Sequence, residues 1–138
     1  MLQPKSVQQD FSLVIRTDFS DEISWKQICS MIQKSQTPED FRALVECVSD
    51  KKYSGIKAGD IRSILPAESR REFVFLVDSV TISQDNHALL VVDTTESVRT
   101  FRVIPSEVWS VENNLRLGNM DFSDFLDAVN EDGEFLGF

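Results

Sequence analysis

Three aspartates stand directly after apolar segments whose length and composition are typical of strands: Asp18, Asp50 and Asp78. If those strands run parallel, their carboxyl ends lie on one edge of the sheet, where ligands of open α/β sheets bind. Carboxylates are ligands that Mg²⁺ and Ca²⁺ prefer. The positions therefore predict either a divalent-cation site formed by Asp18, Asp50 and Asp78 or three separate loop and cap residues, a common role for Asp.

The chain lacks the common sequence motifs of nucleotide binding and of nucleophilic catalysis. The sequence has no GxGxxG or GxxxxGK[ST] loop and no GxSxG elbow. Its single histidine, His87, stands at the start of an apolar strand segment, where a solvated loop histidine is the ordinary interpretation. We predict no cofactor and favour a non-catalytic protein. A small divalent-cation-dependent enzyme or ligand-binding domain that uses the three aspartates is the alternative.

The negative charge is concentrated in the last third of the chain. The formal charge is −9, and residues 103–138 hold eight acidic residues against the single cation Arg116. Such a one-sided acidic segment attracts basic partners through its long-range field and disfavours nucleic acid, whose phosphates require clustered Lys and Arg. The alternative is a merely solvated acidic surface. The acids that lack a neighbouring cation in sequence are Asp121, Asp124, Asp127, Glu131, Asp132 and Glu134.

A second candidate for binding lies on the helix predicted over residues 106–117. Trp109 and Asn113 are four residues apart, and Glu112 precedes Arg116 by four, the favourable order for an ion pair on a helix. Together with Asn119, these side chains predict a polar platform for a ligand or partner formed by Trp109, Glu112, Asn113 and Asn119. The alternative is a core Trp109 with asparagines bonded to neighbouring backbone.

The fold class predicted from hydrophobic patterning is α/β, with α+β as the alternative. The elements follow the order β-α-β-α-β-β-β-α-α and give a mixed five-stranded sheet flanked by about four helices. Ser20 is the predicted cap of the first helix, and Gly118 the residue that ends the third. The strands are predicted over residues 12–16, 41–48, 72–78, 88–93 and 98–103, and the helices over 21–34, 57–65, 106–117 and 121–129.

Strand order in the sheet follows from the connections. Helical crossovers favour parallel pairing of the first three strands, and the short connection 94–97 favours an antiparallel hairpin for the last two. The second strand is the least certain element, because Thr37-Pro38-Glu39-Asp40 before it resembles a helix start. One core is expected to contain Leu13, Ile15, Phe73, Phe75, Val77, Leu90, Val92 and Phe101.

Length and composition predict one domain. Residues 1–10 are polar and should form a flexible arm, and residues 11–138 should form a single globular domain. No segment has the apolar length of a membrane span, so no membrane association and a cytoplasmic location are expected. Cys29 and Cys47 lie among apolar neighbours without CxxC spacing and are expected to be reduced core thiols.

Two longer segments resemble a known family. LVIRTDFSDEISW (residues 13–25) and FRVIPSEVWSVENNLRLGNMDFSDF (residues 101–125), with VSDKKYSG between them and the closing DGEFLGF, are similar to an uncharacterised bacterial domain family common in actinomycetes. The resemblance covers nearly the whole chain and implies no activity, cofactor or catalytic residue. The missing catalytic motifs, the small size and the charge imbalance in one third of the chain make an acidic protein-interaction domain, of an immunity or regulatory type, the leading hypothesis.

Overall fold

The computed structural model describes residues 11–34, 36–65, 72–95 and 98–138. The predicted arm, residues 1–10, lies outside the described residues. Within them the chain forms a mixed sheet of six strands in the order β2-β1-β3-β4-β5-β6. The strands are β1 (Ser12–Arg16), β2 (Val45–Val48), β3 (Phe73–Val77), β4 (Leu89–Asp93), β5 (Thr100–Val103) and β6 (Glu134–Phe135).

Five α-helices accompany the sheet in the described residues, with short 3-10 turns at Lys51–Tyr53 and Pro105–Glu107. The helices are α1 (Glu22–Gln33), α2 (Ala58–Ile64), α3 (Ser79–Ser83), α4 (Val108–Arg116) and α5 (Phe122–Leu126). No described helix has the length and apolar character needed to cross a membrane.

Strand directions agree with the predictions from the connections. β1 pairs in parallel with both β2 and β3, and β4 pairs antiparallel with β5. β3 and β4 are also antiparallel, and the short β6 joins the outer edge of β5 in parallel. The α/β class with a mixed sheet is confirmed, with β6 as an additional strand of only two residues.

The sheet separates two apolar clusters, so the expectation of one common core was wrong. Phe73, Phe75, Val77 and Phe101 face the larger cluster, which α1, α4 and α5 cover. Leu13, Ile15 and Val92 face the smaller cluster, which α2 covers, and Leu90 packs at its margin. Successive strand residues point to opposite faces, and apolar residues at consecutive positions of β1, β3 and β4 therefore require a cover on both sides.

Three boundaries differ from the sequence predictions. β2 begins at Val45 rather than Phe41, although the Leu44 carbonyl just before it accepts a hydrogen bond of 3.0 Å from the Ser12 N–H. Asp21, not Ser20, caps α1 by accepting a hydrogen bond from the backbone N–H of Ser24. Helix α3 was not predicted, although Asp78 and Thr81 form the reciprocal cap that starts it.

Phenylalanine rings fasten the C-terminal segment to the sheet. Phe125 of α5 packs between Phe101 of β5 and Phe135 of β6, with ring centroids 5.7 and 5.1 Å apart. Phe138 contacts both Phe125 and Phe135 from outside. These contacts fix the position of α5 and of the acidic loop that follows it.

Candidate functional site

The acidic segment, defined here as residues 121–134, comprises Asp121, α5, the turns that follow it and the first residue of β6. Its carboxylates at Asp121, Asp124, Asp127, Glu131 and Asp132 are exposed, and that of Glu134 is half-buried. Among the residues that the structure describes, none of these six carboxylates forms an ion pair. The segment is therefore a concentration of uncompensated negative charge at the surface.

Five acids elsewhere in the described chain are paired with arginines. Ion pairs join Glu22 to Arg16, Asp40 to Arg42, Asp78 to Arg102, Asp93 to Arg99 and Glu112 to Arg116. Five of the six described arginines are thus engaged with carboxylates outside the acidic segment. Exposed acids such as Glu39, Asp60 and Asp85 also form no ion pair among the described residues, so the acidic segment is distinguished by the close spacing of six unpaired carboxylates within fourteen residues.

The backbone of the acidic segment is held in one conformation by its own side chains. Asp124 accepts a hydrogen bond of 2.8 Å from the backbone N–H of Asp121, at the start of α5. The Oδ1 atom of Asn130 accepts from the N–H groups of Asp132 and Glu134 at 2.9 and 3.0 Å. The carboxylates of Asp127, Glu131 and Asp132 are consequently displayed on an ordered turn.

Two apolar side chains stand next to the acidic segment at the end of the chain. Leu136 is 52% exposed and Phe138 is 79% exposed, although one side of the Phe138 ring rests on Phe135. Carboxylates beside exposed apolar groups are a combination suited to protein contacts, where a polar rim surrounds an apolar centre. The sequence analysis did not select Leu136 or Phe138, since isolated terminal hydrophobic residues give no pattern.

Glu112 of the predicted platform is not available to a partner. Its side chain is fully buried, and its oxygens accept hydrogen bonds from the Ser12 hydroxyl at 2.7 Å and the Leu44 N–H at 2.8 Å. The predicted pair with Arg116 is present, with Nε 2.6 Å from the carboxylate. Glu112 therefore ties α4 to the start of β1 and to the chain entering β2, which is a structural role.

The other three residues of the predicted platform differ in their contacts and in their exposure to solvent. Asn113 donates to the carbonyl of Arg42 at 3.2 Å and to Glu112 at 2.9 Å. Trp109 stacks on Phe41 with centroids 5.7 Å apart and is half-buried. Asn119 is exposed at the turn after α4. Glu112 is thus withdrawn from the predicted platform, Trp109 and Asn113 are half-buried, and Asn119 is its exposed member.

The three aspartates predicted at the sheet edge have different surroundings. Asp18 accepts from the N–H and hydroxyl of Ser20, and Asp50 caps the 3-10 turn through the N–H of Lys52. Asp78 forms a two-point ion pair with Arg102, with distances of 3.0 and 2.8 Å. Burial raises the pKa of Asp78, but the hydrogen bonds from Arg102 and Thr81 outweigh it and hold this pKa below its usual value.

Asp18 and Asp78 nevertheless line one cavity of about 630 Å³ at this edge, and Asp50 is not part of its lining. In the described ranges no group of three or more His, Cys, Asp or Glu side chains is arranged to hold a metal ion. The cavity lies beside the carboxyl ends of the neighbouring parallel strands β1 and β3. The chain that leaves β1 continues to β2 on one side of β1, whereas β3 lies on its other side. Lys57, which sequence reasoning did not select, supplies a positive charge to its wall.

Arg16, the first residue of the RTDFSD segment, has a structural role. It is 3% exposed, and its guanidinium lies over the rings of Phe19 and Trp25 at 4.5 and 5.4 Å. Its NH1 group donates to Glu22 at 2.8 Å and to Ser49 at 3.3 Å. Arg16 thereby joins β1 to the first turn of α1 and to the end of β2.

The two segments at residues 13–25 and 101–125 thus each contain a charged residue with a structural role, Arg16 in the first and Glu112 in the second. A family model described as a domain of unknown function matches the chain over residues 11–138. The chain belongs to this family, DUF6924. No curated protein matches the chain. In this member of DUF6924, the contacts of Arg16 join β1 to α1 and those of Glu112 join α4 to β1, while the acidic segment remains exposed.

Proposed function

We propose that this DUF6924 domain is a non-catalytic interaction domain whose acidic segment binds a basic surface on another protein. The observation that carries the proposal is the set of exposed carboxylates at residues 121–132, which have no ion pair within the described part of the chain. Their ordered display reduces the entropy that binding would cost, because the turn is already fixed by Asn130.

Binding would proceed by electrostatic steering followed by apolar contact. The field of the acidic segment attracts a basic partner over roughly 8 Å at physiological ionic strength. Leu136 and Phe138 would then supply the apolar centre of the interface. A protein that masks a basic surface in this way would act as an immunity-type or regulatory protein, and it requires no cofactor.

A matched pair of triple variants tests the proposal. The first combines Asp127→Asn, Glu131→Gln and Asp132→Asn, which remove three charges and leave the cap formed by Asp124 intact. The control combines Glu39→Gln, Asp60→Asn and Asp85→Asn, which remove three charges from exposed positions elsewhere. Basic partners are recovered from the source cell at low salt, and the dissociation constant of each purified partner is measured by calorimetry over a salt series.

We expect the first triple variant to bind about 3- to 150-fold more weakly, taking roughly 0.2–1 kcal/mol for each of the three exposed charges. The control should bind like the wild type, apart from a small change in long-range attraction. Binding of the wild type should weaken as salt is added. Equal affinities and equal salt dependence for the two triple variants would show that the acidic segment is only a solvated surface.

A second candidate function is the binding of a small polar molecule in the cavity at the sheet edge. It is favoured by the position of this cavity, since open α/β sheets bind ligands at the strand ends where the connections diverge. Its volume falls within the range of roughly 300–1,000 Å³ that is typical of ligand sites. Asp18 and Lys57 would supply opposite charges for orientation.

Thermal-shift measurements with a panel of amino acids, nucleotides and sugars test the second candidate. A ligand of the cavity should raise the melting temperature of the wild type but not that of a Ser54→Trp variant, whose indole would occupy the cavity. Ser83→Trp, at an exposed position outside this cavity, is the control. A ligand that stabilises both variants equally would not bind in the cavity.

The proposal includes a cytoplasmic location in a bacterium. The bacterial origin rests on the sequence resemblance. The cytoplasmic location is supported by the cysteine content, because a chain with two cysteines lacks the dense disulfide framework of small secreted domains. Fractionation of the source cell, followed by detection of the protein with an antibody, tests the location.

A further inference from the structure

Another cavity, of about 330 Å³, lies where the acidic segment begins. Its walls come from the start of β3, the end of β4, the last turn of α4 and the start of α5. Asp121, Phe122 and Ser123 of the acidic segment belong to its lining. This volume is at the lower end of the range of roughly 300–1,000 Å³ that is typical of ligand sites, so the cavity has room for one side chain of a partner.

The charged residues of this cavity are mainly acidic. Glu72, Asp93 and Asp121 supply carboxylates, against the guanidinium of Arg99. The Oδ2 atom of Asp93 accepts hydrogen bonds from Nε and Nη2 of Arg99 at 2.9 and 2.8 Å, so these two charges compensate each other. Glu72 and Asp121 are exposed, and neither forms an ion pair with another described residue. The cavity therefore keeps two uncompensated carboxylates.

The helix ends at this cavity leave its negative potential in place. Leu115 and Gly118 bring the C-terminal end of α4 to the wall, and that end of a helix dipole carries a partial negative charge. α5 begins at the same cavity, but Asp124 in its first turn compensates the positive end. Arg62 lies outside the lining, where it donates to the carbonyl of Thr95 at 3.3 Å from helix α2. The cavity therefore favours a cationic ligand.

Apolar side chains in the lining favour a cation that is carried on a hydrocarbon stem. Phe73, Leu115 and Met120 supply this apolar surface, and Leu115 and Met120 are half-buried. The guanidinium of Arg99 lies over the Phe122 ring, 5.2 Å from its centroid. A guanidinium of a partner would compete with Arg99 for this ring. A lysine needs no ring, because its methylene stem packs on apolar side chains and its ammonium donates to carboxylates that lie apart.

We propose that this cavity receives a lysine side chain of the basic partner. The lysine stem lies against Leu115 and Met120, and its ammonium donates hydrogen bonds to the carboxylates of Glu72 and Asp121. The lysine site rests on the proposed function, because the lysine belongs to the partner that the acidic segment attracts. The exposed carboxylates after α5 attract that partner over a distance, whereas the cavity anchors one of its side chains in a pocket.

A titration of the full chain with Nα-acetyl-lysine amide, followed by NMR of the isotope-labelled protein, tests this inference. Backbone signals of the cavity lining should shift and reach saturation at millimolar concentrations of this probe. Nα-acetyl-norleucine amide, which has a hydrocarbon stem without the ammonium, should cause no saturable shift there.

A double variant, Glu72→Gln with Asp121→Asn, should bind the lysine probe about 2- to 30-fold more weakly, the range expected for two exposed charges. Asparagine is as good a helix cap as aspartate, so the start of α5 should be preserved. The control, Asp127→Asn with Glu131→Gln, removes the same charge from exposed positions outside the lining and should bind the probe like the wild type. Circular dichroism verifies that both variants are folded.

Three results would overturn the proposal: no shift of the cavity signals, saturable shifts with the norleucine probe as well, or equal affinities of the two double variants for the lysine probe. None of them depends on the partner. If the partner still binds the triple variant of the acidic segment more weakly than its control, the proposed function stands and only the lysine site is wrong. Equal partner affinities of the two triple variants would contradict the proposed function whatever the probe does.

Discussion

The carboxylate of Glu112 and the hydroxyl of Ser12 form a buried hydrogen bond of 2.7 Å between α4 and the first residue of β1. The same carboxylate accepts a hydrogen bond of 2.8 Å from the Leu44 N–H. A single acidic side chain thereby connects the last third of the chain to the two parallel strands at one side of the sheet.

Replacement of Glu112 should destabilise the protein severely. We expect Glu112→Ala to lower the free energy of unfolding by about 3–5 kcal/mol, because it leaves buried donors without their acceptor. Glu131→Ala, at an exposed position with the same change of charge, should alter it by no more than about 0.5 kcal/mol. Urea unfolding followed by circular dichroism measures the free energy of unfolding of both variants. If the two variants lost similar amounts of this free energy, Glu112 would not hold α4 to the sheet.

The ion pair between Asp78 and Arg102 should make stability depend on pH in a defined direction. The pKa of Asp78 in the folded protein lies below its usual value of 3.8. The stabilisation is therefore complete above that value and is lost as the pH falls through the lower, folded-state pKa. Asp78→Asn should cost about 1–3 kcal/mol at neutral pH, and the difference from the wild type should shrink under acidic conditions.

Urea unfolding of the wild type and Asp78→Asn over a pH series measures this difference. Asp60→Asn, on the exposed side of α2, serves as the control and should follow the wild type at each pH. A difference between the wild type and Asp78→Asn that stays constant down to the acid limit would indicate that the asparagine disturbs packing rather than charge.

Two glycines should respond oppositely to substitution by alanine. Gly137 has φ +113°, and an added Cβ would lie 3.1 Å from the carboxyl carbon of Glu107. Gly137→Ala should therefore lower the free energy of unfolding by about 1–2 kcal/mol. Gly59 lies in α2 with open space around it, so Gly59→Ala should raise this free energy by roughly 0.4–1 kcal/mol. Melting temperatures of the two variants give the signs, and equal signs would contradict the backbone argument.

Divalent cations should not stabilise the protein through the three aspartates. Asp18, Asp50 and Asp78 each accept local hydrogen bonds, and only Asp18 and Asp78 share a cavity. We expect the melting temperature to remain unchanged in millimolar Mg²⁺ or Ca²⁺. An increase that disappears in Asp18→Asn would instead favour the divalent-cation alternative.

The sequence determined those elements whose signals are local. The apolar runs of β1, β3 and β4 predict strands that are covered on both faces, and the connection lengths predict their directions. Gly118 after α4 is correctly assigned, since the end of a helix depends on a few adjacent residues. The excess of acids in residues 103–138 is likewise a property of composition.

Tertiary structure decided which polar residues are exposed and which are buried and hydrogen-bonded inside the protein. Glu112 has the sequence surroundings of a surface helix residue, yet Ser12 and Leu44 reach it from distant parts of the chain and bury it. The pairs Asp78–Arg102 and Asp93–Arg99 likewise form between strands or across a turn, whereas the i,i+4 pair of Glu112 and Arg116 could be predicted from spacing alone. Strand β6 has only two residues and exists because β5 presents an unpaired edge to it. Contacts across such distances depend on how the whole chain packs, whereas periodicity and capping are set by interactions within one or two turns.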